Sequence, residues 1–269
     1  MDSAVLQKYL DTAVEAAREA GELLINGLDR VKKVEYKGRI NIVTDMDNAS
    51  QDIIIKIIQH NFPDHSFLAE EENEYNTRNA PYLWVIDPLD GTTNYTHGYR
   101  CFCISIALLI EDESVVGVIY DPWGKELFTA LKEYGAYVNG RRIAVSQETD
   151  LEKSLLATGF PYDIQEGSIS NLGLFNHLIV RAQAIRRDGS AALDLAYVAA
   201  GRFDGFWEFK LHPWDLAAGL LIVQEAGGTV STFSGNSFNV LTDTDMLATN
   251  GKIHQLLIRA IKEVPKALW

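Results

Sequence analysis

With 269 residues, 47% of them hydrophobic, the chain can bury one large core or two modest ones. Its formal net charge of −13, from 24 Lys and Arg against 37 Asp and Glu, argues against nucleic acid as a partner, because that binding is driven by Lys and Arg neutralising phosphates. Apolar runs such as 101–110 are too short to span a bilayer, so no membrane partner is expected.

The opening residues Met1-Asp-Ser-Ala-Val5 carry no basic stretch followed by an apolar one, and no secretory signal is visible. Cys101 and Cys103 lie two apart on one strand face and are too badly placed to bridge. Reduced thiols in a cytoplasmic protein are the expectation. Ser3 serves as N-cap of a helix to about Asn26, with Leu6, Leu10, Ala13, Ala17, Ala20 and Leu24 at three- and four-residue spacing. Residues 31–36 read as a strand and Lys37-Gly38 as an exposed turn, with Lys32, Lys33 and Lys37 on a solvated edge. Thr44 or Asp45 caps a second helix carrying Ile53, Ile54, Ile57 and Ile58, which Pro63 ends. Asp47 falls in its first turn, where the helix dipole favours an acid without any further role.

Residues 66–69 form a short strand leading into Glu70, Glu71 and Glu72, a triplet that by itself reads as a solvated loop. The apolar run 82–86 is a buried strand that stops at Asp87-Pro88-Leu89-Asp90-Gly91, since Pro88 lacks an amide hydrogen and Gly91 tolerates positive φ. Two apolar hairpins follow, 101–110 with 114–120 and 126–132 with 136–143, with Asn139-Gly140 in a tight turn. The polar segment 147–153 marks a boundary between an α+β subdomain, 1–150, and an α/β subdomain, 151–269. In the second, strands at 155–158, 184–187, 203–208, 229–233 and 246–249 alternate with helices at 168–182, 191–200, 215–226 and 251–264. That alternation predicts a layered α/β fold with a mainly antiparallel sheet in the first half and a mixed, partly parallel one in the second.

Taken singly, each acid at an element end has a structural explanation. Asp215 stands near a helix start after Pro213, and Asp90 does so if a helix begins at Gly91. Taken together, Glu71, Asp87, Asp90 and Asp215 sit at the ends of buried elements, beside breakers that fix their direction. Behind the bend, the small residues Gly91, Thr92 and Thr93 can point amides at an anion. Carboxylates beside an anion cradle repel the anion unless a divalent cation sits between them. An oxygen-only donor set suits Mg²⁺ rather than zinc. No G-x-x-x-x-G-K-[ST] stretch offers a P-loop alternative.

Asp87-Pro-Leu-Asp-Gly-Thr-Thr-Asn94, the upstream Ala69-Glu-Glu71 and Pro213-Trp-Asp-Leu-Ala-Ala-Gly219 resemble the signatures of the inositol monophosphatase family. The likeness extends through Val43-Thr-Asp-Met-Asp47, Gly189-Ser-Ala-Ala-Leu-Asp-Leu195, Gly201-Arg-Phe-Asp-Gly205 and Glu225-Ala-Gly-Gly228. The resemblance implies an αβαβα sandwich, usually a homodimer, that is a Mg²⁺-dependent, lithium-sensitive phosphomonoesterase. It implies that Glu71, Asp87 and the Leu89 carbonyl hold one metal, with Asp87 bridging to a second completed by Asp90 and Asp215, two or three ions per site in all. Thr92, held near Asp47, helps Glu71 orient the attacking water, and the Gly91 and Thr92 amides receive the phosphate. Ala191 and Glu208 match positions that contact the inositol ring, and Glu70 has no direct metal role. Ala69 departs from the usual Gly without removing a ligand.

Two cations roughly 4 Å apart neutralise a phosphate dianion, lower the pKa of a bound water and stabilise the departing alkoxide in line. Fructose 1,6-bisphosphate, the 2′-phosphate of NADP and an adenosine bisphosphate are alternative substrates for the same chemistry, because ring-contacting loops decide that choice. Arg186, Arg187 and Lys37 could meet a second phosphate or serve as surface pairs. A regulatory binding module is the alternative of another class. His65, His97 and His212 read as loop or supporting histidines, and Trp207 and Trp214 as core or subunit-interface aromatics.

Overall fold

The computed structural model describes residues 2–29, 34–36, 42–71, 81–164 and 169–269. Helix α1 (Ser3–Gly27) is capped one residue earlier than expected, by Asp2, whose Oδ1 accepts from the Ala4 amide at 3.1 Å. Asp2 wins because its carboxylate reaches a free first-turn amide from an extended backbone, which Ser3, already helical, cannot do. Strands β1 (Val34–Tyr36) and β2 (Ile42–Thr44) pair antiparallel ahead of α2 (Asp45–Asn61). Lys32, Lys33, Lys37, Glu72 and the loop 73–80 lie outside the described residues.

A seven-stranded sheet follows. It contains β3 (Ser66–Ala69), β4 (Tyr82–Asp90), β5 (Cys103–Ile110), β6 (Glu113–Asp121), β7 (Glu126–Leu131), β8 (Gly135–Val138) and β9 (Arg141–Arg142), in that spatial order. Only β3 and β4 pair in parallel; the others are antiparallel neighbours. The short helix α3 (Thr92–Thr96) sits between β4 and β5. Asn139 and Gly140 form the turn between β8 and β9, splitting the expected strand 136–143.

A second sheet of five strands has β10 (Leu155–Thr158) between β11 (Ala184–Arg186) and β12 (Gly205–Glu208), both parallel to it. The remaining strands, β13 (Thr229–Ser231) and β14 (Met246–Thr249), complete it in the order β11-β10-β12-β14-β13. Helices α4 (Leu172–Ile179), α5 (Ala191–Ala199), α6 (Pro213–Glu225) and α7 (His254–Glu263) alternate with these strands. Helix α4 is shorter than the expected 168–182, because Asn171 takes a left-handed conformation at φ 64° and so cannot sit inside a helix.

Alternation along β4 explains the layering. Trp84 and Ile86 face one cluster with α1 and α2, while Leu83 and Val85 face another with α5 and α6. Both faces are covered, so the strand reads as a continuous apolar run. Leu156, Trp207 and Leu247 carry the outer face of the second sheet against α4 and α7. The result is an αβαβα sandwich in which α5 and α6 lie between the sheets. No helix among the described residues is long and apolar enough to cross a membrane.

Candidate active site

The chain does not leave the sheet at Asp87, as its breakers predicted. Asp87 pairs with Ser105, and beyond an irregularity Asp90 pairs with Cys103. A bulge lets a strand accommodate a proline and its unpaired neighbours while the ladder resumes, which local turn chemistry alone cannot foretell. Helix α2 holds the bulge, with Ser50 Oγ donating to the Pro88 carbonyl at 2.7 Å. Gly91 then turns the chain at φ 94°, and a Cβ there would lie 2.9 Å from the Cys101 carbonyl oxygen. Only glycine closes this bend without strain.

Asp87, Asp90, Asp215, Glu70, Glu71 and Glu208 line one cleft of about 1010 Å³. Each aspartate is aimed by the backbone near it. Asp87 Oδ1 accepts from the Leu89 amide at 2.9 Å, and Asp215 Oδ2 from the His212 amide at 2.7 Å. Asp90 Oδ2 accepts from Ser190 Oγ at 2.7 Å and from the Ala192 amide at 2.8 Å, which ties the bend to the start of α5.

Burial, then the charges of Glu70, Asp90 and Asp215, push the Asp87 carboxyl well above the usual carboxylate range. Burial and Asp90 do the same to Asp215, against the His212 hydrogen bond. Burial also raises Asp90, with Ser190 and the Ala191 and Ala192 amides pulling it down. Like charges crowded out of water cost several kcal/mol each unless a cation compensates them. Among the described residues no three acidic, His or Cys side chains close into a ready-made metal cage. The acids line the walls of the cleft instead, and no described residue donates a hydrogen bond to Asp87 Oδ2 or Asp215 Oδ1 there. Hard oxygen donors, mutually repelling and partly unengaged, fit a hard divalent cation.

The structure also separates the two glutamates that follow β3. The Glu70 amide donates to the Ile86 carbonyl at 3.2 Å, so the ladder runs one residue past Ala69. Period-two alternation puts Glu70 on the face of Leu68, toward α5 and α6, and Glu71 on the face of Ala69, toward α2. The Glu71 amide donates to Gln51 Oε1 of α2 at 3.1 Å. Glu70, set aside in the sequence reading, is the acid whose charge acts on Asp87, Asp215 and Tyr162.

Thr44 caps α2, and Asp47 does more than start it. Its Oδ2 accepts from the Thr44 amide at 2.8 Å and from Thr44 Oγ1 at 2.5 Å. Its Oδ1 accepts from Thr92 Oγ1 at 2.8 Å, and the same hydroxyl stands 3.1 Å from the Leu89 carbonyl. Burial raises the Asp47 carboxyl, and the hydrogen bonds from Thr44 and Thr92 oppose that. Sequence reasoning missed Ser50 and Gln51, although a signal existed. With Asp47 they are polar residues on the stripe that Ile54 and Ile58 continue, all buried.

At the other end of the cleft, Ala191 begins α5 and Glu208 ends β12. Burial and Asp90 push the Glu208 carboxyl up to about 8, against the Arg187 guanidinium. Asp194, also missed, is buried beside them, and its Oδ1 makes no hydrogen bond among the described residues. Burial first, then Glu208, Asp188 and Asp90 hold its carboxyl well above the usual range. A lone acid inside the apolar helix run 191–200 was the available signal. Arg187 lines the cleft; Arg186 is exposed and Lys37 lies outside the described residues. Cys101 and Cys103 are free, and burial and Asp90 keep the Cys103 thiol protonated. His65 accepts from Trp84 Nε1 at 3.0 Å, His97 is exposed, and His212 stacks on Trp214 at the cleft with ring centroids 4.7 Å apart. Trp207 is a core residue.

A family model described as "Inositol monophosphatase family" matches residues 5–266. The inositol-1-monophosphatase of Synechocystis sp. is 45% identical over 262 residues, covering 97% of this chain and 91% of that protein. The Nus factor SuhB of Pseudomonas aeruginosa is 44% identical over 263 residues, covering 96% of this chain and 97% of that protein. A solved inositol monophosphatase from Anabaena (Nostoc) sp. superposes with a TM-score of 0.89 at 46% identity, covering 98% of this chain and 99% of that one.

Proposed function

The chain belongs to the inositol monophosphatase family, and we propose that it is a Mg²⁺-dependent hydrolase of small phosphate monoesters, inositol monophosphate foremost. The observation that carries the reading is one cleft in which the charges of Glu70 and Asp90 raise the buried carboxyls of Asp87 and Asp215 beside a buried Thr92–Asp47 pair. In this reading Glu70, Asp87, the Leu89 carbonyl, Asp90 and Asp215 would hold the metal, two or three ions per site. When bound, the metal neutralises the phosphate dianion and acidifies the attacking water.

The chain's own groups do the positioning. Gly91 and Thr92 amides receive phosphate oxygens at the bend. Thr92 Oγ1 gives its hydrogen to Asp47 Oδ1 and keeps a lone pair for a proton of the attacking water, which fixes the line of attack. Ala191 and Glu208 meet the hydroxyls of the substrate. Residues 1–150 supply most metal ligands, and 151–269 supply Asp215 and the substrate contacts. A cytoplasmic homodimer belongs to the same proposal, with light scattering as its check.

Phosphate release from inositol 1-phosphate, fructose 1,6-bisphosphate, NADP and an adenosine bisphosphate, with Mg²⁺ added and withheld and lithium titrated, tests the reading. The highest kcat/KM is expected for inositol 1-phosphate, with turnover lost without Mg²⁺ and inhibited by lithium. A higher kcat/KM on a bisphosphate or NADP moves the assignment to that substrate; Mg²⁺-independent turnover removes the metal. A second comparison tests the glutamates. Glu70→Gln is expected to lower kcat by about 10²-fold or more, the loss of one charged ligand. Glu71→Gln should stay within a few-fold of wild type, and the reverse order would return the ligand role to Glu71.

A protein-partner role beside catalysis is a second reading, favoured by the relative named Nus factor SuhB. Pull-down with wild type and Asp90→Asn would separate it from catalysis, since a partner role predicts equal capture by both.

A further inference from the structure

Glu208 is the last residue of β12, and its carboxylate lies directly over Gly159. A Cβ built on Gly159 would meet Glu208 Oε1 at 2.0 Å and Cδ at 2.2 Å. Gly159 follows the end of β10, which runs parallel to β12 with Thr158 opposite Trp207. No side chain other than hydrogen leaves room for the carboxylate at that spot.

The strand ends themselves are fixed by one buried side chain. Asn171 Nδ2 donates to the Gly159 carbonyl at 2.6 Å and stands 2.8 Å from Thr158 Oγ1. Asn171 Oδ1 accepts from Trp207 Nε1 at 2.8 Å. Thr158 Oγ1 in turn donates to the Trp207 carbonyl at 2.6 Å. An indole N–H can only donate, so the amide orientation is determined, and both its hydrogens and its oxygen are engaged. A fully satisfied buried network of this kind holds one geometry. It is fully buried, with Asn171 and Trp207 at 0% exposure, and it joins the residue before Glu208 to the backbone under the Glu208 carboxylate. Asn171 is itself held at φ 64°, outside helical geometry, just ahead of α4.

We propose that Asn171 and Gly159 are positioning residues for substrate selection. Asn171 clamps the ends of β10 and β12, and the bare Cα of Gly159 is the floor on which the Glu208 carboxyl group rests at the height where it hydrogen-bonds the hydroxyls of a polyol. Neither residue touches the reacting phosphate. The inference rests on the reading of Glu208 as the contact to substrate hydroxyls.

Four variants test it: Gly159→Ala, Glu208→Ala, their combination and Asn171→Ala, each assayed with inositol 1-phosphate and with p-nitrophenyl phosphate, which has no ring hydroxyls. Gly159→Ala adds one methyl group and is expected to raise KM for inositol 1-phosphate about tenfold, the effect of losing a hydrogen bond to the Glu208 carboxyl. kcat should change little, so the specificity ratio of inositol 1-phosphate over p-nitrophenyl phosphate falls by the same factor. Asn171→Ala should lower the same ratio, with a loss of thermal stability that Gly159→Ala does not share. In the combined variant KM should not exceed that of Glu208→Ala alone, because a displaced carboxylate and an absent one are equivalent. If Glu208→Ala raises KM and Gly159→Ala does not, the clamp is wrong and Glu208 keeps its role. If Glu208→Ala leaves KM unchanged, the reading of Glu208 falls and the clamp with it. A parallel loss on both substrates would make Gly159 merely structural and also overturn the proposal.

Discussion

Asp87→Asn is expected to abolish Mg²⁺-dependent phosphate release, by about 10³-fold or more, while making the metal-free protein more stable. Asp87 is only 2% exposed, and the charges acting most strongly on it are those of Glu70, Asp90 and Asp215. Removing one charged oxygen from the proposed metal site would forfeit several kcal/mol of charge stabilisation, and each 1.36 kcal/mol is about tenfold in rate. The stability effect has the opposite sign. A carboxyl whose folded pKa is raised contributes most below its unfolded value, and that contribution is lost as pH rises toward the folded one. Metal-free wild type at pH 8 therefore carries a penalty that it lacks at pH 4. Asn has no charge to desolvate, and its carbonyl still accepts from the Leu89 amide. With chelator present, calorimetry should show a higher Tm for Asp87→Asn than for wild type, by a margin that widens from pH 5 to pH 8. Adding Mg²⁺ should reverse the order, because only wild type gains binding energy. Wild-type turnover in the variant would remove Asp87 from the metal site.

The same residues show what the sequence made legible. The run 82–86 announced a strand buried on both faces, and Trp84 and Leu83 duly face different helical layers. The bend after it was misread because Pro88 and Gly91 are local signals, whereas the ladder from Asp90 to Cys103 and the bond from Ser50 to Pro88 are long-range. Strand periodicity is what favours Glu70 over Glu71 in the proposal, since Leu68 and Glu70 share a face. The expected helix 168–182 overran Asn171, whose left-handed backbone is set by bonds to Thr158, Gly159 and Trp207, far away in sequence. Asp194 was legible only as a lone acid inside the apolar run 191–200. Convergence of acids separated by more than a hundred residues is a tertiary fact, and only the family resemblance stood in for it.

Thr92→Val and Asp47→Asn should each lower kcat by about 10²-fold, in the range of a positioned proton-handling group, with KM within a few-fold. Together they should cost no more than the worse of the two. Asp47 accepts through both oxygens, Oδ2 from Thr44 and Oδ1 from Thr92. That arrangement commits the single hydrogen of Thr92 to Asp47 and leaves the hydroxyl facing the cleft as an acceptor. Val fills nearly the same volume and removes the acceptor. Asn at 47 can offer an amide hydrogen to Thr92 Oγ1, which frees the hydroxyl to donate and misorients the water. Asp47→Asn also weakens the bond to the Thr44 amide at the start of α2, for about 1 kcal/mol of stability, so its Tm should drop where that of Thr92→Val does not. Groups that act as a unit are non-additive in kinetics. Steady-state rates for the two single variants and the double one decide the matter: losses that multiply to about 10⁴-fold would mean that the two side chains act separately, and Asp47 would return to being a helix-start acid.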